Sequence, residues 1–159
     1  MKGQTLIEVL VALGVAVVVM TAISSAVITG LNNSQYSKLQ NQATQYAQQG
    51  MEQMQNYRDA KSLHEFTGTT YKCLNAGCNP VTDIGASCFT DTTAAAVCPL
   101  IDNNFSRKVI AVHGVASCGG NVQINVKVEW SDGKCGATPC HRVDVSSCML
   151  DSLRPSLGP

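Results

Sequence analysis

Three hydrophobic rhythms follow one another along the chain. Residues 9–31 read VLVALGVAVVVMTAISSAVITGL, an uncharged apolar and small-residue run of 23 positions. About 20 apolar residues carry a helix across ~30 Å of hydrocarbon, so this run predicts a spanning helix. From residue 32 to 58 polar side chains take over, yet apolar ones recur at steps of three and four: Tyr36, Leu39, Ala43, Tyr46, Ala47, Met51, Met54 and Tyr57. That spacing predicts an amphipathic continuation of the same helix with one apolar seam. The other face is glutamine-rich, with Gln40, Gln42, Gln45, Gln48, Gln49, Gln53 and Gln55. No proline precedes Pro80, so an unbroken helix from Gln4 to Arg58 would extend ~80 Å. Gly14, Gly30 and Gly50 are its weak points, since a helical glycine costs ~1 kcal/mol relative to alanine. Bending or melting is expected at Gly30-Leu31-Asn32-Asn33.

Residues 59–104 lose both periodicities. Glycine, threonine, asparagine, alanine and proline dominate, and Cys73, Cys78, Cys88 and Cys98 punctuate them, which predicts an irregular stretch held by cross-links. A two-residue rhythm then sets in over residues 105–150. Residues 105–112 form a strand candidate, a glycine-bearing turn covers 113–120, and residues 121–130 alternate strictly, with Val122, Ile124, Val126, Val128 and Trp130 on one face. Residues 141–148 return after a turn opened by Ser131-Asp132-Gly133-Lys134. The prediction is an α+β chain, its helix packed through its second half on the apolar face of a small antiparallel meander. Pairing Trp130 near His141 would place Cys135 and Cys140 at the hairpin end, and residues 151–159 form a tail.

Composition sharpens this picture. Charged residues make up 14% of the 159 positions, against ~25% in an ordinary soluble domain. The deficit lies in the first 37 residues, where Glu8 is the sole charged side chain after Lys2. Net charge is zero, so there is no basic surplus to displace counterions from a nucleic acid, and Arg107-Lys108 is the only adjacent basic pair. Eight cysteines behind an apolar N-terminal segment indicate an oxidising, extracytoplasmic compartment and four disulfides. Short spacing favours Cys73–Cys78, Cys88–Cys98 and Cys135–Cys140, leaving Cys118–Cys148 as the long-range bridge. The competing reading is zinc, with Cys135-x4-Cys140-His141 and Cys73-x4-Cys78 as ligands; both spacings are wider than the usual C-x2-C.

A cleaved signal peptide, cut near Ser24-Ser25-Ala26, or a plain membrane anchor shares the hydropathy of residues 9–31. Neither accounts for Glu8, a carboxylate at the edge of an apolar helix, where an ionisable side chain is costly. Its setting is Lys2-Gly3-Gln4-Thr5-Leu6-Ile7-Glu8-Val9-Leu10-Val11-Ala12-Leu13. This resembles the class III signal of type IV prepilins and type II secretion pseudopilins over about ten contiguous positions. The resemblance implies a prepilin leader at residues 1–3, cleavage between Gly3 and Gln4 by a prepilin peptidase, N-methylation of Gln4, and Glu8 fifth in the mature chain. The leader is short for the family, and Gln4 stands where an apolar residue is usual. By the same resemblance, residues 4–31 are first a transmembrane helix inserted N-in and then the filament core. Glu8 pairs with the N-terminal amine of a neighbouring subunit, since buried charges are tolerated in pairs.

Gln45-Tyr46-Ala47-Gln48-Gln49-Gly50-Met51-Glu52 looks like a segment of the I-type minor pseudopilins, so a pilin fold and a minor, initiating or adhesive subunit are expected. Its partners would be other pilin subunits, the peptidase, an inner-membrane assembly platform and, before assembly, the membrane. After assembly it would sit in an extracellular pilus or a periplasmic pseudopilus. A major shaft subunit and a membrane-tethered binding module are the alternatives. No cofactor is expected, and no nucleophile elbow, zincin helix or phosphate loop suggests an enzyme.

Overall fold

The computed structural model describes residues 4–61, 63, 66–75, 88–133, 135–136 and 138–150. The chain divides into two compact units, residues 1–40 and 41–159. One helix, α1 (Gln4–Lys61), contributes to both.

In the first unit the residues of α1 stay α-helical through Gly30-Leu31-Asn32-Asn33, so the expected interruption is absent. Glycine weakens a helix through backbone entropy but keeps its N–H donor, whereas proline removes one. Side chains from Leu6 to Lys38 are exposed, including Leu6, Val9, Leu13, Val18, Met20 and Ile28.

The second unit begins with the remainder of α1, where the seam is buried from Ala43 onward: Ala43, Ala47, Met51, Met54 and Tyr57. The helix ends at Lys61, three residues beyond the sequence expectation of 58. It packs on an antiparallel sheet built from β1 (Thr69–Leu74), β2 (Phe89–Asp91), β3 (Leu100–Ile101), β4 (Phe105–Val112), β5 (Val122–Trp130) and β6 (His141–Met149). The order is β2-β1-β4-β5-β6, with β3 also pairing β4. β4 therefore has a divided edge, with Ser106 opposite Leu100 of β3 and Lys108 opposite Cys73 of β1.

The meander from β4 to β6 matches the expected alternation. Val122, Ile124, Val126, Val128 and Trp130 are buried, and Trp130 pairs with His141. Residues 59–104 correct the irregular reading, because they hold β1, β2 and β3. These strands are short, and their partners are distant in sequence or, for β3, joined by a tight turn. That turn, Ile101 to Asn104, is closed by the Asn104 N–H donating to the Ile101 carbonyl at 3.1 Å. Asp102 and Asn103 take positive φ within it (49° and 58°), a conformation that Asp and Asn tolerate better than most side chains.

Gly50 is not a weak point but a close approach. A Cβ there would lie 2.8 Å from Val126 Cγ1 and 3.0 Å from Arg107 Cδ. The helix meets the middle of β4 and β5 at the one seam position without a side chain.

Candidate functional site

The sequence points first to the apolar half of α1. The helix is long and apolar enough to cross a membrane. In hydrocarbon every polar group needs an internal partner, and the four hydroxyls between Thr21 and Thr29 have theirs. Thr21 Oγ1 donates to the Val18 carbonyl, Ser24 Oγ to Met20, Ser25 Oγ to Ala22 and Thr29 Oγ1 to Ser25, each at 2.9 Å. These hydroxyls therefore add little polarity to the helix surface. Glu8 is different: it lies exposed on α1, and among the described residues it makes no ion pair. Gln4 is the first helical residue, while Gly3, on the other side of the expected cleavage point, lies outside the described residues.

The cysteines of the second unit are cross-linked, in a partly different pattern from the short-spacing expectation. Cys118–Cys148 and Cys135–Cys140 are bridges as expected, closing separations of 30 and 5 residues. Cys73 pairs with Cys98, 25 residues away, so Cys73–Cys78 and Cys88–Cys98 are both overturned. Cys88 is disulfide-bonded, and Cys78 lies outside the described residues. The physical reason is the divided edge of β4. Cys73 ends the β1 pairing opposite Lys108, while the Cys98 N–H donates to Ser106 Oγ at 3.1 Å. The bridge thus joins the two segments flanking the same edge, a juxtaposition that linear spacing does not reveal.

Arg107 and Lys108, the adjacent basic pair, are both buried and point to opposite faces of β4. Arg107 lies under α1. Its Nη1 donates to the Tyr46 carbonyl at 3.1 Å and to Gln49 Oε1 at 3.4 Å, and its Nη2 donates to the Asn75 carbonyl at 3.3 Å. Burial pushes its pKa down to about 10. On the outer face Lys108 Nζ donates to the carbonyls of Ala94 (2.9 Å) and Ala96, and burial lowers its pKa as well. Both cations dock backbone segments on the strand, so they form no exposed phosphate-binding patch. Beside Arg107, the Tyr46 hydroxyl donates to Asp102 Oδ2 in the β3–β4 turn, and that hydrogen bond raises the phenol pKa, with burial adding to it.

The end of the β5–β6 hairpin gathers chemistry-bearing side chains. His141 stacks on Trp130 with ring centroids 5.5 Å apart, and its Nε2 lies 3.0 Å from Asp132 Oδ2. Cys135 and Cys140 close the loop beside them. As a disulfide the pair offers no thiolate, which counters the zinc reading at Cys135-x4-Cys140-His141 for the oxidised chain; Cys73, bonded to Cys98, is likewise removed from the other candidate set. Asp132 is the member that sequence reasoning missed. Its signal was its place two residues beyond Trp130, the residue that pairs with His141. No protein-family profile, curated protein or solved structure matches this chain.

Proposed function

We propose that this chain is a structural subunit of a type IV pilus or a type II secretion pseudopilus, assembled through its N-terminal helix after cleavage between Gly3 and Gln4. The observation that carries the proposal is Glu8, the sole carboxylate in the exposed apolar part of α1, where the hydroxyls of Thr21, Ser24, Ser25 and Thr29 are already satisfied internally. A charge in that position calls for a partner supplied from outside the chain, and the amine created by cleavage four residues earlier is of the right sign. The prepilin-like run from Gly3 to Leu13 supports the same reading, as does a disulfide-stapled α+β head suited to an extracytoplasmic location. In this reading the helix spans the cytoplasmic membrane N-in before assembly and lines the filament core afterwards. The head, with its several bridges, belongs to a minor, initiating or adhesive subunit.

Filaments sheared from cells producing the Glu8→Ala chain should lack it, while the membrane fraction retains it with its bridges formed. Incorporation at the unmodified level would overturn the pairing. Gly3→Ala should leave a precursor whose N-terminal peptide, by mass spectrometry, begins at Met1 rather than Gln4.

A further inference from the structure

Four potential ligand atoms converge at the end of the β5–β6 hairpin. The ligand atoms of Asp132, Cys135, Cys140 and His141 lie within 4.8 Å of one another. Asp132 presents one oxygen to each neighbour: Oδ2 is 3.0 Å from His141 Nε2, and Oδ1 is 3.4 Å from Cys135 Sγ. Around tetrahedral zinc, with bonds of ~2.0–2.3 Å, nitrogen–oxygen and sulfur–oxygen ligand pairs lie roughly 3.3 and 3.5 Å apart. The Asp132 Oδ2 to His141 Nε2 distance is near the first of these, and Cys135 Sγ approaches the other oxygen of the same carboxylate, so a turn of that carboxylate lets one oxygen serve the ion beside both.

Two further features suit a thiolate site. The Asp132 N–H donates to Cys135 Sγ at 3.3 Å, a bond that favours negative charge on sulfur. The stack on Trp130 fixes the His141 ring with Nε2 toward the cluster. Gly133 and Gly136 have open space at a Cβ position, and Cys140 is exposed to an incoming reductant.

The geometry points to a redox-exchangeable metal site: when the Cys135–Cys140 disulfide is reduced, Asp132, Cys135, Cys140 and His141 hold one Zn2+. Two molecules of a monothiol such as glutathione deliver two electrons and two protons. The Cys135–Cys140 bond breaks, two cysteine thiols form, and the monothiol is oxidised to its own disulfide. Zn2+ then displaces the two thiol protons, giving a two-sulfur, one-nitrogen, one-oxygen site. The hairpin end is closed by a covalent bond in one state and by a metal in the other. This inference is independent of filament assembly.

Because zinc binds only the dithiol, it must shift that one redox equilibrium. The full chain in detergent is equilibrated in glutathione buffers of graded ratio, with and without Zn2+ alone as the probe, and each bridge is read by alkylation and peptide mapping. Zn2+ should move the opening of Cys135–Cys140 toward oxidising conditions by at least tenfold in the glutathione equilibrium ratio, roughly 30 mV. The Cys118–Cys148 midpoint should stay in place. His141→Ala and Asp132→Asn, checked for intact Cys73–Cys98 and Cys118–Cys148 bridges, should each lose most of the shift. An unmoved midpoint for Cys135–Cys140, or a shift that survives both substitutions, would overturn the site.

Discussion

Arg107 and Gly50 act as one unit at the helix–sheet boundary. Arg107 is a cation on the apolar face of the sheet, and among the described residues it forms no ion pair. Main-chain carbonyls and Gln49 solvate it, and the missing side chain at residue 50 leaves room for its stem. Gly50→Ala gains about 1 kcal/mol of helix propensity but forces a methyl against Val126, a β-branched side chain with no exposure. Overpacking typically costs about 1–3 kcal/mol, so the net effect is a lower Tm in thermal unfolding. Gly30→Ala has no neighbour within 4 Å and should not lower Tm.

Tyr46 gives a pH test at the same scale. Its phenol pKa is raised from 10.0 in the fold, so above pH 10 the unfolded chain releases this proton first. The hydrogen bond to Asp102 therefore contributes fully below pH 10 and is lost as pH rises through the raised value. Tyr46→Phe should cost about 1 kcal/mol at neutral pH. The gap in urea midpoint between the two chains should narrow above pH 10; a constant gap would sink the assignment.

Among the elements, β5 and the seam of α1 were legible because each carries its period over many residues. Val122 to Trp130 alternate without exception, and Ala43 to Tyr57 hold a helical step. β1 was not legible, since Thr69–Leu74 has a lysine and a cysteine in six residues and finds β4 more than 30 positions later. β2 and β3, of three and two residues, are too short for any periodicity. The cysteine pattern failed with them: once β1 is known to border β4, Cys73 faces Cys98 by topology. The burial of Arg107-Lys108 was not legible either, since alternation on a doubly covered strand buries both members of an adjacent basic pair.

Loop length ranks the bridges. In the chain-entropy model, separations of 25 and 30 residues are worth roughly 3.5 kcal/mol each, and five residues roughly 2 kcal/mol. Replacing Cys73 and Cys98 together by serine should lower the unfolding midpoint more than replacing Cys135 and Cys140, as read by urea titration monitored by circular dichroism.

At the scale of the whole molecule, the charge deficit belongs to one region. The first unit exposes apolar side chains along α1, and the second carries near-ordinary charge over a disulfide-linked core. Patches of this apolar extent on a folded chain call for a cover of lipid or protein. Ser24→Ala and Thr29→Val should leave membrane insertion unchanged, since both hydroxyls bond their own helix; reduced recovery of either variant in the membrane fraction would contradict that account. Under the proposed filament role, assembly should depend instead on Glu8.

The bridges at the two ends of β6 also bear on how the head carries load. Among the described residues β6 is an edge strand, held sideways only by β5. Strands at an edge can be peeled one hydrogen bond at a time, like a zip. Here Cys140 lies just before the first residue of β6 and Cys148 one residue before its last, and each is covalently tied, to Cys135 and to Cys118. Tension applied beyond Met149 is therefore taken up at Cys148 and passed through sulfur to the β4–β5 connection, bypassing the hydrogen-bonded ladder. With both bridges intact the two ends of the outermost strand stay tethered even where its ladder opens, and reduction removes those tethers.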